Sequence, residues 1–171
     1  VDMKLLSNKI CDLAFAEETP WAELNKTIVD GDARLYIDYD DNPGFPRMTK
    51  VIVSARDTEL ADTITLRQRG TQSPEVALAA GSMILDGAAS GRQEADMTTN
   101  LDFDSDITPE VVYTGGEGAD WIESVTRSAD GQLVVSYKAN ASENPRSATL
   151  YLVFDNGWGE KQTTTLFVTL K

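Results

Sequence analysis

The chain has 171 residues, of which 41% are apolar and 25% are charged, as is usual for a soluble globular protein. Its 28 acidic and 15 basic residues give a net charge of −13, which argues against nucleic acid as a partner because phosphate contacts require Lys and Arg. No apolar run is long enough to span a bilayer, so we expect no membrane insertion of this segment. The chain opens on Val1 without the basic and apolar regions of a signal peptide, and we expect a mature or trimmed chain.

The sequence contains no histidine and a single cysteine, Cys11. These absences exclude Ser-His-Asp and Cys-His catalytic sites, imidazole metal sites and an intrachain disulfide. Because Ile10 and Leu13 flank Cys11, we expect its thiol to serve as a small buried apolar group rather than as a nucleophile. Carboxylate chemistry is the catalytic class that remains.

Runs of alternating, β-branched and aromatic residues predict strands along most of the chain. In chain order they cover residues 35–39, 51–53, 64–66, 133–137, 149–154 and 166–170. Turn signals lie between these strands, at Asp30-Gly31, Asn42-Pro43-Gly44, Asp130-Gly131, Asn144-Pro145 and Asn156-Gly157. Helical periodicity occurs at residues 75–85, where Pro74 and Gly81 disfavour a helix. Short strands separated by regular turns predict an all-β sandwich.

The same pattern occurs twice along the chain. Trp21 and Trp121 are each followed ten residues later by the glycine of an Asp-Gly turn, and then by a strand that runs into an asparagine. Beyond the asparagine come a proline-bearing turn, an arginine and two further strands; the paired residues are Asn42 with Asn140 and Arg47 with Arg146. The repeat predicts two tandem sandwiches, residues 1–70 and residues 73–171. The second has an additional leading segment, residues 74–86, so we expect the first to lack its first strand.

The repeated set resembles the BACON domain, a β-sandwich family of secreted and surface proteins of Bacteroidetes. The matching residues are Trp21, Asn42, Arg47 and residues 66–70 in the first copy, and Trp121, Asn140, residues 146–149 and the Thr-rich last strand in the second. The second copy departs from the pattern because it has no closing Gln-x-Gly. The resemblance implies immunoglobulin-like sandwiches in a protein of the periplasm or outer-membrane surface, including lipoproteins. It also implies a connection with glycan-degrading systems, in which some such domains bind carbohydrate and others act as spacers.

Two aromatic residues are the candidates for carbohydrate binding. Trp158 follows the Asn156-Gly157 turn, for which the sequence predicts a two-residue type I′ hairpin, and it has no counterpart in the first copy. Phe45 lies between two prolines, which stiffen its loop and lower the entropic cost of binding. The alternatives are that Trp158 packs over its own hairpin and that Phe45 closes the end of the sandwich. Trp21 and Trp121 occupy one repeat position, and we expect both to anchor the core.

An acidic cluster is the candidate metal site. Asp102, Asp104 and Asp106 alternate, and alternate carboxylates can converge on Ca²⁺. The cluster lacks the glycine and the closing Glu of an EF-hand loop, and alternate carboxylates on a strand can equally share a solvated face. We therefore expect no cofactor, with Ca²⁺ as the less favoured alternative. A glycosidase would need two paired carboxylates, and nothing in the spacing selects a pair.

The first hypothesis is a non-catalytic β-sandwich module of a secreted or surface lipoprotein that binds polysaccharide or another glycan. The alternatives are a structural spacer that carries a partner domain and a module that docks other domains of a surface protein complex. An enzyme is the remaining alternative. Exposed aromatic side chains would favour binding, whereas burial of all three tryptophans would favour a spacer.

Overall fold

The computed structural model describes residues 1–30, 32–114 and 120–171, so the prediction for Gly31 lies outside the described residues. The chain divides into two compact units, Val1–Ser73 and Pro74–Lys171. Both consist of β-strands arranged in two facing sheets, which confirms the prediction of all-β, immunoglobulin-like sandwiches in tandem. Within the described ranges, no helix has the length and apolar character needed to cross a membrane.

The first unit contains six strands, which form two antiparallel sheets. The strands are β1 (Asp2–Leu5), β2 (Cys11–Phe15), β3 (Ala22–Val29), β4 (Asp32–Tyr39), β5 (Arg47–Ala55) and β6 (Ala61–Gln68). One sheet has the order β1-β4-β3 and the other the order β2-β5-β6. Leu35, Ile37 and Val51 form the buried cluster between the sheets, and half-buried apolar side chains from the other four strands, β1, β2, β3 and β6, surround it.

The second unit contains nine strands and one helical turn. They are β7 (Val76–Leu78), β8 (Ser82–Leu85), β9 (Gly91–Ala95), β10 (Met97–Thr99), α1 (Phe103–Asp106), β11 (Ile107–Thr114), β12 (Ile122–Arg127), β13 (Leu133–Tyr137), β14 (Arg146–Asp155) and β15 (Lys161–Leu170). One sheet has the order β12-β13-β9 and the other the order β11-β14-β15-β8, and β10 and β7 form a separate two-stranded pair. Residues 75–85, where the sequence shows helical periodicity, therefore contain the two short strands β7 and β8.

The two units share one strand pattern, as the repeat in the sequence predicts. β2, β3, β4, β5 and β6 correspond to β11, β12, β13, β14 and β15, and β1 corresponds to β9. The correspondence extends to single hydrogen bonds: the N–H of Asp40 donates to the carbonyl of Trp21 at 2.9 Å, and the N–H of Lys138 donates to that of Trp121 at 2.8 Å.

The units differ at the strand that precedes this shared set. In the second unit β8 runs parallel to β15, and its Met83 and Leu85 are buried in the core. In the first unit, as far as the structure describes it, β6 pairs with β5 alone and its other side carries no strand. The first sandwich therefore presents an open sheet edge where the second is closed.

Candidate functional site

The hairpin that carries Trp158 differs from the predicted turn. Asp155 pairs with Lys161, so the connection spans the five residues 156–160 instead of two. Gly157 and Gly159 have positive φ values of 87° and 77°, while Asn156 does not enter this region. The prediction of a type I′ turn at Asn156-Gly157 is wrong, because the side chains before the turn reorganise the loop.

Two side chains hold this loop in one conformation. The Oδ1 of Asp155 accepts the N–H groups of both glycines, at 2.6 and 3.0 Å. The Oδ1 of Asn156 accepts the N–H groups of Trp158 at 2.8 Å and Glu160 at 3.3 Å, and its Nδ2 donates to the Glu160 carboxylate at 2.9 Å. Trp158 itself is half-buried. Its side chain is thus presented from a loop whose backbone donors are already paired.

Phe45 lies in the loop between β4 and β5 of the first unit and is also half-buried. Asn42 shapes this loop: its Nδ2 donates to the carbonyl of Phe45 at 2.7 Å, and its Oδ1 accepts the N–H of Gly44 at 3.1 Å. Gly70 passes so close that a Cβ at this position would lie 1.9 Å from the Gly44 carbonyl oxygen. The loop is therefore fixed from two sides, and Phe45 belongs to a different unit from Trp158.

The second unit repeats the asparagine loop. The Nδ2 of Asn140 donates to the carbonyl of Asn144 at 3.0 Å, and its Oδ1 accepts the N–H of Ser142 at 3.1 Å. Each asparagine thus bonds the backbone two residues on, which is the turn role expected for it. The shared asparagines therefore shape the two loops.

The two tryptophans at the shared repeat position have different surroundings. Trp121 is 3% exposed and packs edge-to-face against Tyr113, with ring centroids 5.6 Å apart, so it is a core residue as predicted. Trp21 is half-buried, and the guanidinium carbon of Arg47 lies 4.4 Å from its ring centroid. The Nε of Arg47 donates to Oε1 of Gln68 at 2.7 Å, which holds the guanidinium over the ring.

Tyr39 is an exposed aromatic residue that the sequence interpretation did not select. It is 54% exposed, whereas its counterpart Tyr137 is 6% exposed. A cavity of about 250 Å³ lies beside Tyr39 and Trp21 and is lined also by acidic residues, Glu23, Asp38 and Asp40. In the second unit β9 covers Tyr137, and a Cβ at Gly91 would lie 3.0 Å from the tyrosine hydroxyl. The available signal was the carboxylates on both sides of Tyr39, which are unusual around a core position.

The acidic cluster forms a helical turn and not a strand face. Asp102 is the N-cap of α1, where its Oδ1 accepts the N–H groups of Asp104 at 2.9 Å and Ser105 at 3.1 Å. The carboxylate of Asp106 accepts the N–H of Asp102 at 3.1 Å. These backbone hydrogen bonds hold the pKa of Asp102 below its usual value. Among residues 1–30, 32–114 and 120–171, no group of three or more carboxylate or thiol side chains is placed to hold a metal ion.

Comparison with known proteins gives structural likenesses alone. No family model matches the chain, and no curated protein sequence matches it. Titin domains I67–I69, in an E-to-A mutated variant, are 12% identical over 99% of this chain and 58% of that chain, less than two thirds of its length, with a TM-score of 0.38. Titin domains Z1Z2 in complex with telethonin are 9% identical over 99% of this chain and 86% of that chain, with a TM-score of 0.37. Human protocadherin-24 EC1-2 is 8% identical over 96% of this chain and 82% of that chain, with a TM-score of 0.37.

Proposed function

We propose that the chain is a non-catalytic binding module of a glycan-associated protein, built from two BACON-type sandwiches and located in the periplasm or on the outer-membrane surface. Its ligand is a polysaccharide or another glycan, and Trp158 is the residue that stacks on it. The half-buried Trp158 on a loop fixed by its own side chains is the observation that carries this proposal.

The loop is suited to binding because it is already ordered. Asp155 and Asn156 satisfy four backbone N–H groups of the connection, so little conformational entropy remains to be lost when a ligand binds. An indole offers a flat apolar face with a polar N–H at its edge, which matches the C–H face and the hydroxyl rim of a sugar ring. A rigid loop with a partly exposed indole is thus a stacking platform of low entropic cost.

The fold does not require Trp158. The matching hairpin of the first unit, residues 56–60, connects β5 and β6 and contains no aromatic residue. A hydrogen bond from Thr58 Oγ1 to the Ala55 carbonyl, at 2.8 Å, stabilises this hairpin. Because only one of two equivalent hairpins carries an aromatic side chain here, we assign Trp158 to ligand binding. Phe45 is the corresponding candidate in the first unit and belongs to a loop fixed by Asn42.

Titration calorimetry of the chain with a panel of host and plant polysaccharides tests this proposal. Trp158→Ala should weaken binding to the recognised glycan at least tenfold, because stacking of the sugar ring on the indole is lost. Trp158→Phe should retain part of the affinity. Glu59→Ala, at an exposed position in the matching hairpin, is the control and should bind as the unchanged chain does.

Two results would contradict the proposal. Full affinity in Trp158→Ala would show that Trp158 does not contact the glycan. Phe45→Ala would then show whether the glycan binds to the first unit instead. If no glycan of the panel binds, the module acts as a structural spacer or as a docking module for other domains of a surface complex.

A further inference from the structure

The second unit has an outer sheet face that carries aromatic and hydroxyl side chains. On β15, Leu166 and Val168 are buried in the core, so Phe167 between them points outward, and it is 60% exposed. Tyr151 points outward from β14 in the same way and is half-buried. The exposed face of an antiparallel sheet is usually polar. Two outward aromatic rings therefore distinguish this face from a surface that is merely solvated.

Strand register places these side chains in adjacent rows. Tyr151 pairs with Thr165, and Phe167 lies two residues further along β15, so the two aromatic positions are diagonal neighbours about 7–8 Å apart. Around them lie outward threonines and one outward valine of β11. The Phe167 face, as we call this surface, consists of Val112, Thr149, Tyr151, Thr165, Phe167 and Thr169.

The Phe167 face is uncharged, although the chain has a net charge of −13. Glu110 of β11, which pairs with Tyr151, lies at its margin. Val112 is 55% exposed, and Ile84 of β8, which pairs with Thr169, is 62% exposed. Apolar surface thus extends to both sides of the two central strands.

The first unit carries a different surface on the matching sheet. The two sheets align through equivalent first pairs of the long hairpins, Arg47–Gln68 and Arg146–Leu170. Counted from these pairs, the position of Tyr151 is held by Ile52 and that of Phe167 by Thr65. Neither aromatic ring therefore has a counterpart in the first unit.

The threonine positions differ as well. Lys50 stands at the position of Thr149, and Arg67 stands at that of Thr169. Both charged side chains are exposed. The same framework accepts cations at these places, so building the sheet does not require the uncharged aromatic and hydroxyl side chains of the second unit.

The size of the Phe167 face favours a narrow ligand over a protein. The four strands of the sheet span about 14 Å from first to last, and three rows span about 14 Å along the strands, which gives about 200 Å². A stable protein–protein interface needs about 800 Å² from each partner. A second copy of the chain would also bring a further charge of −13 towards the first.

The side chains of the face select a flat, uncharged ligand. An aromatic ring packs against the C–H face of a sugar, and threonine hydroxyls donate and accept hydrogen bonds. An acidic glycan would need a cation to pair with its carboxylate or sulfate groups, and the Phe167 face has none of the charges that Lys50 and Arg67 supply in the first unit.

We propose that the Phe167 face binds a neutral polysaccharide, whose sugar rings lie on Tyr151 and Phe167. The hydroxyl groups of the sugars bond to the flanking threonines Thr149, Thr165 and Thr169. This site is a surface of β11, β14 and β15, and it does not depend on Trp158.

Affinity electrophoresis of the whole chain in native gels that contain a polysaccharide tests the proposal. Hydroxyethyl cellulose, galactomannan and dextran are the neutral probes, and polygalacturonate is the acidic probe. We expect at least one neutral probe to retard the chain and polygalacturonate to leave its mobility unchanged. Retardation at increasing concentrations of the polymer gives the dissociation constant.

Variants that install the residues of the first unit locate the binding surface. Phe167→Thr and Tyr151→Ile should each raise the dissociation constant at least tenfold, because a stacking ring is lost. Thr149→Lys combined with Thr169→Arg should do the same, because two long side chains replace the hydroxyls. Ile28→Thr, at a 75% exposed position of β3, is the matched control and should bind as the unchanged chain does. All these side chains point outward, so thermal melting should show that every variant is folded.

Four results would overturn the proposal. The neutral probes could all fail to retard the chain, or retardation could persist unchanged in Phe167→Thr and Tyr151→Ile. Stronger retardation by polygalacturonate than by every neutral probe would assign an acidic ligand to the chain. A dimer in sedimentation that Phe167→Thr abolishes would assign the face to a second copy.

The Trp158→Ala variant separates this proposal from the role proposed for Trp158. Retardation that Trp158→Ala keeps and Phe167→Thr loses supports the Phe167 face. The reverse result supports the loop and overturns the face, and loss in both variants supports both sites. If no neutral probe binds, the Phe167 face is excluded, whereas the acidic members of the host and plant panel still test Trp158.

Discussion

The first and second units share strand order, loop hydrogen bonds and a tryptophan position, but they bury that shared framework to different extents. In the second unit Trp121 and Tyr137 are almost wholly buried, and in the first their counterparts Trp21 and Tyr39 are not. In the second unit Gly91 of β9 lies against Tyr137, and Trp121 packs against Tyr113. The units also differ at the segment that contains β7 and β8, which closes the second sandwich and has no counterpart in the described part of the first.

The tryptophan pair gives the largest expected contrast in stability. Trp121→Ala should destabilise the second unit by about 3–5 kcal/mol, as is usual for a buried aromatic residue. Trp21→Ala should cost the first unit less than half as much, because the ring is partly exposed and its contact with Arg47 contributes about 0.5–1 kcal/mol. Denaturant unfolding of the two variants measures both values. Equal losses would show that the two positions are buried alike in solution.

Opening the second sandwich should make it resemble the first. Leu85→Ala removes a fully buried side chain of β8, and we expect a loss of about 2–5 kcal/mol, together with greater exposure of the core beside β15. Ile84→Ala, at a 62% exposed position of the same strand, is the matched control and should change stability little. Calorimetric melting of both variants gives the comparison. A stability loss for Ile84→Ala equal to that for Leu85→Ala would contradict the role given to β8.

The asparagine loops should respond alike in the two units, because both use the same two hydrogen bonds. Asn42→Ala and Asn140→Ala should each cost about 1–2 kcal/mol. Paired denaturation curves test this equality. A loss confined to one unit would mean that its loop has a function beyond the turn.

The smallest expected effect concerns pH and is restricted to the second unit. The pKa of Asp102 is lowered from 3.8 in the folded state, so its stabilising contribution is complete above the unfolded pKa and is lost as the pH falls through the folded pKa. Asp102→Asn keeps a capping side chain but cannot titrate. The Tm difference between the two proteins should therefore shrink as the pH falls from neutral to below about 3. If the Tm difference stayed constant over this pH range, titration of Asp102 would not contribute to the pH dependence of stability.

Alternation along the strands was sufficient to predict the all-β fold, because residues of a half-buried strand repeat with a period of two. Internal comparison also predicted the shared roles of Asn42 and Asn140. The Trp158 loop escaped prediction because Asp155, which precedes the turn, accepts backbone donors and lengthens the connection to five residues. The helical turn after Asp102 was not predicted either, because the alternating carboxylates suggested a strand. The Asp102 side chain instead accepts two backbone N–H groups and caps the turn.

The half-exposed state of Trp21 could not be predicted from its local sequence, and for Tyr39 the carboxylates on both sides were the available signal. Both residues occupy positions that are core positions in the second unit. In the second unit Tyr137 is covered by β9, a strand that is distant from it in sequence. Long-range coverage of this kind is a property of the assembled sheets.

Site-resolved amide hydrogen exchange tests the comparison most directly. The amide of Phe167 is bonded to Gly81 across the β8–β15 edge, whereas its counterpart Thr65 faces the open edge of β6. We predict that Phe167 is protected to the level of the core of the second unit and that Thr65 exchanges at least a hundredfold faster under the same conditions. Equal protection of the two amides in the chain alone would contradict the account.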